Sequence, residues 1–204
     1  SRKQISINKI NTLPKLLKKK IIHDLKKITS KKKNFSNLDF SKSPNIMGVL
    51  NLTPDSFSDG GKFNSKDKGI NQAKLMYESG ANIIDVGGES TRPGSQGVNE
   101  KVEWNRINKL LKSICHKVTV SLDTRKSKIM KKGIKLGIRI INDVSGLNYD
   151  VETKNILKEY KIPFVIQHTK GTPENMQNNP NYKNELLDIY DFFDQKIKFL
   201  RSIG

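Results

Sequence analysis

Residues 118–143 read VTVSLDTRKSKIMKKGIKLGIRIIND, and this stretch decides the fold. A short apolar run, Val118–Asp123, is followed by an amphipathic run, Lys126–Leu136, and then by a second short apolar run, Arg139–Asn142. Short runs rich in Val and Ile are typical of buried parallel strands, and parallel strands are usually joined by a helix. The stretch therefore predicts a strand–helix–strand unit.

The same alternation begins at residue 46 and continues to the end of the sequence. Further strands are predicted where short apolar runs recur, at Ile46–Asn51, Asn82–Gly87 and Pro163–Gln167. Further helices are predicted where apolar residues recur at helical spacing, at Ser65–Ser79, Glu100–His116, Val151–Tyr160 and Asn184–Arg201. Five strand–helix repeats imply a parallel sheet with right-handed crossovers. This pattern fits either an open doubly wound sheet or a (β/α)8 barrel that lacks its last units.

Polar residues at the ends of the strands distinguish these two architectures. Each apolar run ends in a polar group, and these groups are Asn51, Asp85 with the Gly87-Gly88 turn, Asp123, Asn142 and Gln167. A barrel brings the carboxyl ends of all its strands to one face, whereas an open sheet uses mainly those near its switch point. The pattern favours an incomplete (β/α)8 TIM barrel of about five units. The alternative interpretation is that these residues only cap the helices that follow.

Charge divides the chain into two parts. The net charge is +18, and residues 1–45 hold 13 Lys or Arg against 2 acidic residues. Within them, Leu13–Ile28 predicts a basic amphipathic helix. We expect two domains, a basic extension at 1–45 and a barrel domain at 46–204. The extension either docks on an anionic partner or packs on the main domain, and the second interpretation is preferred because a run of charges is usually a solvated face.

Composition limits the other partners and the compartment. The longest apolar runs are far shorter than the roughly 20 residues of a membrane-spanning helix, so no membrane partner is expected. Nucleic acid is not the expected partner either. Cys115 is the only cysteine, so an internal disulfide is impossible, and a cytoplasmic location is expected.

Two loops carry the chemistry. The loop after the first strand, Thr53–Phe63, is long for such a connection, as a lid over a catalytic face would be. The loop after the second strand contains Thr91 and Arg92 among glycines. A hydroxyl and a guanidinium group beside an open backbone suit phosphate oxygens.

Five segments are distinctive in sequence and in their order along the chain: IMGVLNLTPDSFSDGG (46–61), GANIIDVGGESTRPGS (80–95), SLDTRK (121–126), INDVSG (141–146) and HTKGTPENMQ (168–177). They resemble the signature segments of the dihydropteroate synthase family. The resemblance implies a (β/α)8 barrel and a transferase of folate biosynthesis that is the target of sulfonamides. Such an enzyme condenses a dihydropterin-methyl diphosphate with p-aminobenzoate and releases diphosphate.

The resemblance also implies roles for matching residues. Asn51 corresponds to the residue that helps to hold a Mg²⁺–diphosphate assembly, so Mg²⁺ is the expected cofactor. Thr91 and Arg92 correspond to residues that contact the substrate and its diphosphate. Asp123 and Asn142 correspond to the pair that binds the pterin.

Four further residues complete the expected site. Asp59 is expected to stabilise a cationic reaction centre, with Arg92 as its catalytic partner on the leaving group. Phe57 and Pro93 are expected to flank the p-aminobenzoate ring, and Gln167 lies where the family has a pocket-floor residue. The resemblance implies two small-molecule partners, the dihydropterin diphosphate and p-aminobenzoate. At full length it also implies a second copy of the chain.

Two other functions remain as alternatives: a related methyltetrahydrofolate:corrinoid methyltransferase, or a basic binding module attached to an inactive barrel fragment. In the family, the sequence continues beyond the equivalent of residue 204 with further residues that bind pterin and diphosphate. We therefore expect residues 1–204 alone to be inactive.

Overall fold

The computed structural model describes residues 6–30, 34, 38–39, 44–53 and 65–204. The chain divides into two compact units, Ser1–Pro44 and Asn45–Gly204. In the first unit, a 3-10 helix at Ile7–Thr12 precedes an α-helix, α1, at Lys15–Thr29. Helix α1 confirms the predicted basic helix, and none of its residues is buried.

The second unit alternates strands and helices. Its strands are β1 Met47–Asn51, β2 Ile83–Gly87, β3 Thr119–Asp123, β4 Ile140–Asp143 and β5 Phe164–Ile166. Its helices are α2 Ser65–Glu78, α3 Glu100–Ile114, α4 Ser127–Leu136, α5 Thr153–Tyr160 and α6 Glu185–Ser202. Every predicted strand and helix is confirmed to within two residues at each end.

The sheet follows chain order. Its strands lie in the order β1-β2-β3-β4-β5, and every neighbouring pair is parallel. Helices α2 to α5 also contact one another in sequence. A doubly wound sheet reverses its strand order at a switch point. Strictly sequential order with neighbouring helices is the arrangement of a (β/α)8 barrel, of which this unit forms five consecutive repeats.

The hydrophobic core lies between the sheet and its helices. Val120 and Leu122 of β3 are fully buried there, against helix residues such as Ile107 and Met130. Gly133 lets α4 approach closely, because a Cβ at this position would lie 2.5 Å from a methyl carbon of Leu122. Since side chains alternate along a strand, Ser121 and Asp123 point to the opposite face of the sheet.

The helix ends follow familiar capping chemistry. The side chain of Asn99 caps α3 by accepting a hydrogen bond of 2.9 Å from the backbone N–H of Val102. Helix α4 ends at Gly137, whose φ of 99° lies in the left-handed region that glycine tolerates. In the described part of the chain, no helix has both the length and the apolar character needed to cross a membrane.

Candidate active site

The carboxyl ends of four neighbouring strands form a single layer of residues. The strand register pairs Asn51 with Gly87, Gly87 with Asp123, and Asp123 with Asn142. Residues paired across parallel strands point to the same face of a sheet. Three of the predicted site residues, Asn51, Asp123 and Asn142, therefore lie side by side on the face turned away from the helices.

Gly87 allows this layer to close. A Cβ at Gly87 would lie 2.6 Å from Asn51 Oδ1 and 3.4 Å from Asp123 Oδ2. The amide of Asn51 thus occupies the space above β2 that a side chain would fill. Asn51 and Asp123 approach each other across the strand between them only because that strand carries glycine here.

A second carboxylate, Asp85, lies one layer deeper. Asn142 Nδ2 donates a hydrogen bond of 3.1 Å to Asp85 Oδ2, and Asp85 is only 4% exposed. The Oδ1 atom of Asp123 is buried and has no hydrogen-bond partner among the described residues. Buried acceptors are normally paired. The vacant carboxylate oxygen of Asp123, at the end of β3, therefore indicates a site for a ligand that presents N–H donors.

Burial controls the protonation of Asp85 and Asp123, and repulsion adds to it at Asp123. Burial raises the pKa of Asp85 above its ordinary value of 3.8, although the hydrogen bonds with Ser121 and Asn142 act in the opposite direction. Burial, together with the negative charges of Asp85 and its neighbours, raises the pKa of Asp123 to about 8. At neutral pH and without a ligand, Asp123 is therefore mostly protonated. A ligand that donates hydrogen bonds to it favours the ionised form.

The loop after β2 approaches the loop after β5. The backbone N–H of Gly94 donates a hydrogen bond of 2.7 Å to the carbonyl of Pro173. Thr91 and Gln167 line one crevice, together with side chains from the loops after β3 and β4. Arg92 and Pro93 are exposed on the β2 loop. The structure thus brings Thr91 and Gln167 together, whereas Asp59 and Phe57 lie outside the described residues.

His168, which follows β5, is surrounded by aromatic rings. Its ring lies 4.8 Å from that of Phe192 at an interplanar angle of 87°, and Tyr182 and Phe193 are also near. Edge-to-face contacts of this kind stabilise packing. We therefore assign His168 a structural role.

The structure contains a buried cluster of four charged side chains that the sequence did not predict. Glu89 accepts hydrogen bonds from Arg125 Nε at 2.8 Å and from Lys126 Nζ at 2.7 Å. Lys126 Nζ also donates to Glu103 at 2.5 Å, and Glu103 accepts a further bond from the Thr124 hydroxyl. None of the four charged side chains is more than 8% exposed.

The charges of this buried cluster compensate one another. Burial alone would raise the pKa of Glu89, but the hydrogen bonds from Arg125 and Lys126 outweigh it and hold this pKa below its usual value. The only signal for the cluster in the sequence was its position, since Glu89 lies in GGES and Arg125 and Lys126 lie in SLDTRK.

The strand-end layer can also contribute to a metal site. The amide oxygen of Asn51 is a hard donor of the kind that Mg²⁺ prefers, and it lies above the glycine cradle. In the described part of the chain, no three His, Cys, Asp or Glu side chains gather into a metal-binding group. A metal at this position would have the amide oxygen of Asn51 as one protein ligand.

Known proteins resemble this chain in both sequence and structure. Residues 47–204 match the family described as pterin binding enzyme. The dihydropteroate synthase of Bacillus subtilis is 40% identical over 171 residues, which cover 83% of this chain and 58% of the relative. That of Synechocystis is 36% identical over 168 residues, which cover 81% of this chain and 58% of the relative.

Solved structures agree with these relatives. A dihydropteroate synthase from Clostridium difficile, crystallised with pteroic acid, superposes with a TM-score of 0.73 at 39% identity, covering 82% of this chain and 62% of that one. The enzyme from Yersinia pestis, in complex with a sulfonamide drug, superposes with a TM-score of 0.75 at 37% identity. The match covers 82% of this chain and 61% of that one. The chain thus spans about 60% of the length of these relatives. The family match over residues 47–204 agrees with the fold and the strand-end layer. The chain belongs to the family of pterin-binding enzymes.

Proposed function

We propose that the full-length protein that carries this chain is a dihydropteroate synthase. It would join 6-hydroxymethyl-7,8-dihydropterin diphosphate to p-aminobenzoate and release diphosphate. The observation that carries the proposal is the strand-end layer, in which Asn51, Asp123 and Asn142 meet around Gly87 and leave one buried oxygen of Asp123 without a partner. Related structures that hold pteroic acid and 7,8-dihydropteroate support it.

The strand-end layer suits the aminopyrimidine edge of a pterin. That edge presents adjacent N–H donors beside ring acceptors. The carboxylate of Asp123 accepts two hydrogen bonds, and the amide of Asn142 both donates and accepts. Asn142 is already oriented by its bond to Asp85. Because the pKa of Asp123 is about 8 before a ligand binds, pterin binding near neutral pH should release a proton from this carboxyl group.

The diphosphate would lie toward the β2 loop. The guanidinium group of Arg92 can form paired hydrogen bonds with phosphate oxygens, and the hydroxyl of Thr91 can donate another. The amide oxygen of Asn51 would be the protein ligand of Mg²⁺. When bound, Mg²⁺ neutralises the charge of the leaving diphosphate.

The reaction then needs little from the protein beyond charge and position. The bond between the pterin methylene carbon and the diphosphate oxygen breaks, and diphosphate leaves with the electron pair, stabilised by Arg92. Asp59 would face the cationic methylene. The amine nitrogen of p-aminobenzoate attacks that carbon, the new C–N bond forms, and the nitrogen loses a proton to water. Phe57 and Pro93 would flank the arylamine ring, with Gln167 on the pocket floor.

Three further properties belong to the same proposal: a cytoplasmic location, a homodimeric full-length protein, and little activity in residues 1–204 alone. The cytoplasmic location rests on the single cysteine, and the other two properties rest on the resemblance to the family. A methyltransferase acting on methyltetrahydrofolate has no specific observation in its favour.

The test is the condensation reaction itself. The full-length protein is incubated with both substrates and Mg²⁺, and dihydropteroate and diphosphate are measured together. We expect equal amounts of the two products, and losses of about a hundredfold or more in Asp123→Ala and Arg92→Ala, since each removes a charged contact. Lys109→Met is the control, because it breaks only an exposed ion pair with Asp67. If no dihydropteroate forms, the proposed function is wrong.

A further inference from the structure

The β2 loop is closed into a ring by Glu89. Its Oε1 atom accepts a hydrogen bond of 2.8 Å from the backbone N–H of Val98, nine residues later. Within the ring, the Ser95 hydroxyl donates to the carbonyl of Ser90 at 2.7 Å. The segment that carries Thr91 and Arg92 is therefore held at both of its ends by a single carboxylate.

That carboxylate is anchored from the next repeat of the barrel. Arg125 and Lys126, which follow β3, donate to the two oxygens of Glu89 over sequence separations of 36 and 37 residues. Lys126 in turn reaches Glu103 on α3, which is completely buried. The β2 loop is thus fixed to the end of the strand that carries Asp123.

The fit around Glu89 leaves no spare room. A Cβ at Gly97 would lie 2.9 Å from an Arg125 guanidinium nitrogen and 3.3 Å from Glu89 Oε1. The backbone of the loop passes directly over the ion pair. Gly88 is equally close to α3, since a Cβ there would lie 2.9 Å from the carbonyl oxygen of Glu103.

We propose that Glu89, held by Arg125 and Lys126, is a positioning residue that places Thr91 and Arg92 for the diphosphate of the substrate. This inference rests on the proposed function. Glu89 is 5% exposed and has its oxygens occupied by three donors, so it acts on the reaction through the loop. Asp123 and Asn142, the proposed pterin contacts, lie on β3 and β4 and are not part of the ring.

A double-mutant cycle with Arg92 tests this role in the full-length protein. Glu89→Gln keeps the size of the side chain and an acceptor for Val98, but removes the charge that holds Arg125 and Lys126. We expect it to lower kcat/KM by about tenfold or more, since small misplacements of a binding group have effects of this size. In an Arg92→Ala background, Glu89→Gln should lower kcat/KM by less than about threefold, because the side chain that Glu89 positions is already absent.

A binding measurement separates positioning from general damage to the fold. A pterin that lacks the diphosphate should bind Glu89→Gln within about twofold of the wild-type protein, whereas the pterin diphosphate should bind at least about tenfold more weakly. Lys109→Met, which breaks an exposed ion pair between α3 and α2, should change neither affinity.

If Glu89→Gln fails to fold, Gly97→Ala takes its place in the same cycle, because its Cβ would push on the Arg125–Glu89 pair while keeping all charges. If the Glu89 variant lowers kcat/KM by the same factor with and without Arg92, the inference is overturned. Equal weakening of the binding of both pterins would also overturn it. An inactive wild-type protein would instead refute the proposed function.

Discussion

Asp123→Asn should make the protein more stable, and the gain should grow with pH. The carboxyl group of Asp123 has an ordinary pKa of 3.8 but a pKa of about 8 in the folded protein, because of burial and the neighbouring negative charges. A raised pKa means that folding disfavours the ionised form. The stability linked to the protonated carboxyl is complete below pH 3.8 and is lost as the pH rises through 8.

The size of this effect follows from the two pKa values. Each pKa unit corresponds to about 1.4 kcal/mol. The ionisation of Asp123 therefore costs the folded state about 2 kcal/mol at pH 5 and about 5 kcal/mol at pH 8, as upper limits for a site with no relaxation. An amide has the same shape and does not ionise, so Asp123→Asn removes this cost. Asp123→Asn also removes the carboxylate that would accept hydrogen bonds from the pterin.

Thermal unfolding of the full-length protein between pH 5 and pH 8 measures this gain. One kcal/mol corresponds to about 2–4 °C for a domain of this size. If relaxation halves both upper limits, the melting-temperature advantage of Asp123→Asn over wild type should still widen by at least about 3 °C between pH 5 and pH 8.

Asp150→Asn is the matched control. Asp150 accepts a hydrogen bond of 2.8 Å from the backbone N–H of Ser127 at the start of α4. Burial alone would raise its pKa, but this and neighbouring hydrogen bonds hold it below its ordinary value. The stability linked to this carboxylate is present above the unfolded pKa and is lost as the pH falls, so Asp150→Asn should destabilise by about 1 kcal/mol at neutral pH. A gain from Asp123→Asn that is the same at pH 5 and pH 8 would refute the reasoning.

Three further predictions follow from the same geometry. Gly87→Ala should raise the Mg²⁺ concentration needed for half-maximal activity by about tenfold or more, because its Cβ would displace Asn51, the only proposed protein ligand; an unchanged Mg²⁺ titration would contradict this. Lys126→Met should lower the free energy of unfolding by about 3–5 kcal/mol, because Glu103 loses its buried cation; the double variant with Glu103→Gln should recover part of this loss in urea denaturation. Residues 1–204 alone should show no condensation activity. They should also self-associate in sedimentation experiments, because Val49 and Val165 on the inner face of the sheet are 57% and 42% exposed.

The sequence predicted the repeats of the barrel because each repeat carries a local periodic signal. Buried strands such as Ile83–Gly87 are short apolar runs, and helices such as Glu100–Ile114 place apolar residues at helical spacing. The polar residues at the strand ends were also visible locally. That these polar residues meet at one face followed from the barrel architecture, which brings the carboxyl ends of its strands together, and not from their spacing along the chain.

The buried charges could not be predicted in the same way. Sequence patterns treat Glu, Arg and Lys as exposed, since burying an unpaired charge is costly. Whether Glu89 is buried depends on partners 36 and 37 residues away, and the bond between Asp85 and Asn142 spans 57 residues. Such pairings appear only when neighbouring strands are placed in register. The roles of Asp59 and Phe57 stay predictions, because both lie outside the described residues.

Equilibrium binding of a dihydropterin to the full-length protein tests the central claim most directly. If the strand-end layer is the pterin site, Asp123→Ala should weaken binding by about a hundredfold or more, because a carboxylate that accepts two hydrogen bonds is lost. Binding to the wild-type protein near pH 7 should also release a proton, and binding to Asp123→Ala should not. Affinity within about threefold of wild type, with unchanged proton release, would place the pterin elsewhere and contradict the account.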